Sequence, residues 1–147
     1  MKKFLMFLFV IVFSIFMFSC NTWTSGEKDG IKYEVKTDEE TGEKYACVVG
    51  YSDKISLQAN ILEKYKNYEV KEIADYAFNK YVSVRSIEIP NGVENIGDHV
   101  FACESLETIY CESESKPATR DMQWSFIETG ELEKEANIIW GYEGLNK

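Results

Sequence analysis

VENIGDHVFACESLETI, residues 93–109, repeats a phrase that the chain has already used. About 23 residues upstream, VKEIADYAFNKYVSVRSI at 70–87 carries the same skeleton, with Val70 standing for Val93, Ile73 for Ile96 and Phe78 for Phe101. A fixed period of this order marks a stacked-repeat solenoid, in which a unit cannot hide its apolar face until a neighbour covers it. Ile87-Glu88-Ile89 and Ile109-Tyr110-Cys111 end the two phrases as apolar-x-apolar triplets, and Ile55-Ser56-Leu57 supplies a third. Side chains alternate across a strand, so stacking the triplets as a parallel ladder buries their outer residues and points Ser56, Glu88 and Tyr110 outward in one row. Asn91-Gly92 and Gly97 give the backbone freedom a turning coil needs, and Pro90 fits a strand end, where its missing N–H does little harm.

The flanks read as caps. IKYEV (31–35) alternates apolar and polar, TDEETGE (37–43) is turn chemistry, and KYACVVGY (44–51) is a second strand, so residues 31–69 are expected to form an N-terminal cap opening with a β-hairpin. Residues 70–111 hold the two repeats. Residues 112–142 form an irregular C-terminal cap: ESESKPATRD (112–121) reads as loop, MQWSFIETGELEKEA (122–136) as a weak helix interrupted by Gly130, and NIIWGY (137–142) as a closing strand. Trp124 and Trp140 belong to the packing of this cap. The expected class is mainly β, or α+β through the tail helix: a short solenoid with a parallel strand ladder between two caps.

The first residues stand apart from this domain. Lys2 and Lys3 precede Phe4–Phe18, apolar except for Ser14, and Ser19-Cys20 follows, the layout of a secretory signal peptide over residues 1–19. The apolar run is shorter than the roughly 20 residues of a permanent span. MFSC (17–20) resembles a bacterial lipobox, which makes Cys20 the expected lipidation site. Stable anchoring takes more than one acyl chain, so the mature protein would be held at the membrane surface of the cell envelope, facing outward, without crossing it. Residues 20–30, polar with two glycines, read as the flexible tether.

Charge and residue types remove several function classes. The chain carries 25 acids against 16 bases, a net charge of −9, and losing Lys2 and Lys3 with the signal moves it to −11. No basic stripe exists for nucleic acid. Past Cys20 the cysteines are Cys47, Cys103 and Cys111, with no CxxC spacing; they read as small core residues, with a Cys103–Cys111 disulfide as the lesser alternative. His99 is the single histidine, too few for a zinc site or a conventional triad, and it reads as part of an exposed loop. The acidic loop around Asp38, Glu39, Glu40 and Glu43 lacks the alternating order of a calcium loop. There is no Walker loop, HExxH or GxSxG, so no metal, no cofactor and no catalytic residue are expected.

IEIPNGVENIGDHVFACESLETI, residues 87–109, resembles the BspA-type leucine-rich repeat, whose phrase runs apolar-x-Ile-Pro, Val-x-x-Ile-Gly, Ala-Phe, Cys and Ser-Leu-x-x-Ile. The upstream copy keeps Ala77-Phe78 but has Ala74 for the Gly, Tyr81 for the Cys and Val84 for the Leu. The likeness extends over residues 31–142, through YACVVGY to the final WGY. It implies a secreted or surface-attached bacterial repeat protein, non-catalytic, that binds or adheres to host or matrix proteins. The outward row Ser56, Glu88 and Tyr110, with Arg85 and Glu112 at its margins, is the candidate contact face. The competing reading is a structural or antigenic envelope lipoprotein without a specific ligand.

Overall fold

Strand pairing starts earlier than the sequence pattern places it. The computed structural model describes residues 25–79, 83–115, 118–119, 126–129 and 132–144; the signal segment, Cys20 and Trp124 lie outside them. Strand β1 (Ser25–Lys28) pairs antiparallel with β2 (Ile31–Thr37) across Asp29-Gly30, whose φ angles of 53° and 81° make the left-handed pair of a tight hairpin turn. Residues 25–28, expected in the tether, are therefore sheet. The Asp-Gly dipeptide, a strong hairpin signal, is the physical reason. Strand β3 (Lys44–Tyr51) continues the antiparallel order, and the acidic loop before it folds on itself: Asp38 Oδ1 accepts from Glu40 N (3.0 Å), Thr41 N (2.7 Å) and Thr41 Oγ (2.9 Å).

From β3 the chain coils. It continues through β4 (Gln58–Asn60), β5 (Lys64–Tyr65), β6 (Tyr68–Ile73), β7 (Ser86–Ile89), β8 (Asn95–Ile96), β9 (Thr108–Cys111), β10 (Ala118–Thr119), β11 (Phe126–Thr129), β12 (Leu132–Glu135) and β13 (Asn137–Trp140). Successive coils feed two parallel ladders, β3-β6-β8-β10 and β4-β7-β9-β13; β5 is a short antiparallel hairpin arm on β6. On the first ladder Cys47, Glu72, Asn95 and Ala118 are register partners; on the second they are Ala59, Ile87, Ile109 and Ile138. The core lies between the ladders. Phe78 and Phe101 are fully buried and stack at 5.9 Å between centroids, and Tyr51 extends the stack onto Phe78 at 6.4 Å. Val70, Ile73, Ile87, Val93, Ile96, Leu106 and Ile109 close around them. Each such side chain contributes about 1.5–3 kcal/mol by leaving water.

Three sequence expectations change. The first rung of the second ladder is Gln58–Asn60, so Ala59 and Asn60 hold the places assigned to Ile55 and Ser56. The reason is a carbonyl chain: Arg85 N donates to Leu57 O (2.8 Å), Glu107 N to Arg85 O (2.8 Å) and Asn137 N to Glu107 O (3.1 Å), which fixes Leu57 at the residue before a rung. The tail is more repetitive than a cap. Ala118–Thr119, read as loop, pairs parallel with β8, and Asn137–Trp140 pairs parallel with β9 as another rung. The weak helix is instead the antiparallel pair β11–β12 inserted between those rungs. A glycine inside a helix is unfavourable by about 1 kcal/mol, and FIET and LEKE on either side of it alternate at strand period.

Candidate functional site

Outward positions on the second ladder follow from the strand period. Ser86 and Glu88 alternate with buried Ile87 and Ile89, and Thr108 and Tyr110 with buried Ile109 and Cys111. Across the rungs this aligns two rows, Gln58–Ser86–Thr108–Asn137 and Asn60–Glu88–Tyr110–Ile139. Only Glu88 among them carries charge, in a chain with 25 acids and 16 bases. Depletion of charge with an aromatic near the centre is how the middle of a protein interface differs from ordinary surface.

The candidate residues take different places on this surface. Glu88 and Tyr110 sit side by side in the row. Ser56 does not: it precedes the first rung, where its Oγ donates to the Gln58 carbonyl, and Asn60 takes the row position. Ser56 nevertheless lines the same open depression of about 650 Å³ as Leu57, Gln58, Arg85, Thr108 and Tyr110. Leu57 is 57% exposed there, an apolar contact the sequence reading had placed in the core. Arg85 Nη1 lies 3.8 Å from Glu107 Oε1 at the margin, an exposed pair contributing about 0–1 kcal/mol. Glu112 Oε2 accepts from Asn91 N at 3.2 Å.

A second polar surface was not anticipated. Glu34 is opposite Cys47 and Lys36 opposite Tyr45 on the outer side of the first ladder. Lys36 Nζ lies 3.2 Å from Glu72 Oε1, and Tyr45 Oη donates to Glu72 Oε2 at 2.8 Å. Cys47, the residue opposite Glu72 in the next strand, is fully buried beneath this group. His99, read as an exposed loop residue, is half-buried and stacks on Tyr76 at 5.4 Å; the two occupy left-handed positions, φ 51° and 58°, of successive coils. Among the described residues no group of three or more His, Cys, Asp or Glu side chains is assembled that could hold a metal ion.

Cys47, Cys103 and Cys111 are buried free thiols, so the Cys103–Cys111 bridge is not formed. Burial pushes them up to about 11, 11 and 12, with the Glu72 charge adding to the effect on Cys47. Burial also pushes the Tyr33 phenol up to about 12. These acids stay neutral in the folded chain at pH values where the unfolded chain has released their protons, so the unfolded state binds fewer protons and stability falls as pH rises. The contribution is complete below about pH 9, the ordinary thiol value, and is lost between about pH 9 and 12. Urea unfolding midpoints of the reduced protein should therefore agree at pH 7 and 8 and drop by pH 10.5; an unchanged midpoint at pH 10.5 would contradict this burial.

Successive coils that give one strand to each of two parallel ladders, with an aromatic stack between, define a leucine-rich-repeat solenoid, a class whose domains generally mediate protein binding. The chain belongs to the BspA-type family: the family described as "BspA type Leucine rich repeat region (6 copies)" matches residues 55–134. This is a repeat family and typically non-catalytic. Comparison with curated protein sequences gives no match. Among solved structures the chain is similar to a leucine rich cell surface protein from Faecalibacterium prausnitzii A2-165, at 20% identity and a TM-score of 0.49, over 65% of this chain and 25% of that one.

Proposed function

We propose that the chain is a non-catalytic bacterial surface protein, anchored through lipid on Cys20, that binds another protein through the outward rows of its second ladder. The observation that carries the reading is the low charge of those rows, centred on Glu88 and Tyr110, in a chain of net charge −9. Tyr combines a large apolar ring with a polar tip and is enriched at binding hot spots. The signal layout of residues 1–19 and the MFSC stretch support delivery to the envelope and attachment there.

Protease shaving of intact cells, with the native protein and a Cys20→Ala variant compared in cell and medium fractions, tests attachment and orientation together. The native domain should be shaved from the cell surface, and the variant should leave the membrane fraction. Survival of the native domain until the envelope is opened would end the adhesin reading in favour of an inward-facing scaffold. For a ligand found among host or matrix proteins, Tyr110→Ala should weaken binding about tenfold or more. A spacer without a ligand would show no saturable binding with either chain.

A further inference from the structure

The outward row is not bare. After Trp140 the chain reverses at Gly141, where φ is 66°, with Gly141 N donating to Ser113 O and Tyr142 N to Cys111 O, both at 3.0 Å. The reversal carries it from the last rung back across the earlier ones. The Tyr142 ring lies against Tyr110 of β9, with centroids 4.7 Å apart and planes tilted by 43°. Gly144 then reaches β7: a Cβ added there would stand 3.2 Å from Glu88 Oε1 and 3.4 Å from Glu112 Oε1. Gly144 shares with Asn60 of β4 the wall of a hollow of about 200 Å³. Its φ of 76° disfavours any side chain for a second, independent reason. Burial, then the charges of the Glu88 carboxylate and the Tyr110 phenolate, raises the Tyr142 phenol pKa, consistent with a side chain laid into the row.

A segment already seated on a surface reports what that surface accepts. We infer that the row Asn60–Glu88–Tyr110 is a docking groove for an extended peptide segment running across the strands, with an aromatic side chain followed two residues later by glycine, and that Gly141–Gly144 fills this groove in cis. The aromatic packs on Tyr110, and glycine suits the point where the backbone passes Glu88 and Glu112 at a φ of 76°. The inference rests on the binding reading above: a protein partner that uses the row presents the same spacing and displaces Tyr142. Because the resident segment is tethered, its effective concentration is of millimolar order, so it excludes weak segments and yields to a partner that makes further contacts.

The test uses the full mature chain and a capped synthetic peptide, acetyl-GYEG-amide, as probe. In an NMR titration of the Tyr142→Ala variant, the peptide should saturate shifts of the Glu88, Tyr110 and Glu112 amides in the millimolar range, and the native chain should respond about fivefold more weakly or less. Acetyl-GAEG-amide should do nothing. No saturable shift in the variant, or an equal response in the native chain, overturns the inference. Nitration of Tyr110, mapped by mass spectrometry, gives a readout independent of peptide affinity. It should be several-fold faster in Tyr142→Ala, and also in Gly144→Val, which keeps the Tyr142 ring but is strained at a φ of 76° and crowds the two carboxylates. Equal nitration in all three chains likewise overturns it. A protein ligand that binds native chain and Tyr142→Ala equally would sink this inference and leave the binding reading standing. Peptide capture without any saturable protein ligand would do the reverse.

Discussion

Phe101→Ala is expected to lower the unfolding free energy by about 3–5 kcal/mol, the range for emptying a buried aromatic site. Phe101 is fully buried and stacks on Phe78, which stacks in turn on Tyr51 of the N-terminal sheet. This column runs from the hairpin through both central coils. In a solenoid, stability is a sum of unit and interface terms, so a cavity here removes contacts from two neighbouring coils at once. A small domain has only about 5–15 kcal/mol in total, so the variant should sit near the edge of folding at 37 °C. Urea unfolding is the measurement, with Phe101→Leu beside it; that swap keeps most of the volume and should lose about 1.5 kcal/mol or less. A shift of under about 1 kcal/mol for Phe101→Ala would mean that Phe101 does not bridge the coils.

The parts of this fold that were legible in the sequence are those with two independent signals. Val70, Ile73 and Phe78 recur as Val93, Ile96 and Phe101, and each phrase ends in a triplet, so period and strand alternation agree on the rungs at 86–89 and 108–111. Where only one signal exists, the local pattern does not set the register. Ile55-Ser56-Leu57 and Ala59-Asn60-Ile61 both offer an apolar-x-apolar pattern, and the stronger hydrophobes pointed to the wrong one. The choice is made by the Leu57 carbonyl receiving Arg85 N, a backbone bond between distant residues that no local pattern contains. The two triplets are offset by four residues, so the local pattern puts Ser56 in the row position that Asn60 holds and buries Leu57, which is exposed. Ala118–Thr119 keeps the period of about 23 residues after Asn95 and Ile96 but follows Lys116-Pro117, which reads as loop. The contact of Tyr142 with Tyr110 depends on a reversal at Gly141, and WGY alone says nothing about where the next residues go.

Gly97→Val is the other large loss to expect, on the order of 3 kcal/mol, from overpacking against backbone and not from lost burial. An added Cβ at Gly97 would overlap Asp75 Oδ1, stand 2.5 Å from Asp75 N and 2.9 Å from the Ala74 carbonyl carbon. The coils are this close because Gly97 N donates to Ile73 O, and Asp98 N to Asp75 Oδ1, both at 2.9 Å. The preceding coil shows that the position does not require glycine everywhere. Ala74 stands there, with its N–H donating to Val48 O at 2.8 Å, and its neighbour is the N-terminal sheet, which accepts a methyl. Gly97 therefore marks a coil-on-coil contact and Ala74 a coil-on-cap contact. A double-mutant cycle separates the two sources of the clash. Asp75→Ala removes the side-chain overlap but leaves the amide at 2.5 Å, so it should rescue Gly97→Ala only in part, with a coupling energy of about 0.5–3 kcal/mol. Complete rescue would show that only a movable carboxylate stood in the way and that the backbones do not set the spacing of the coils.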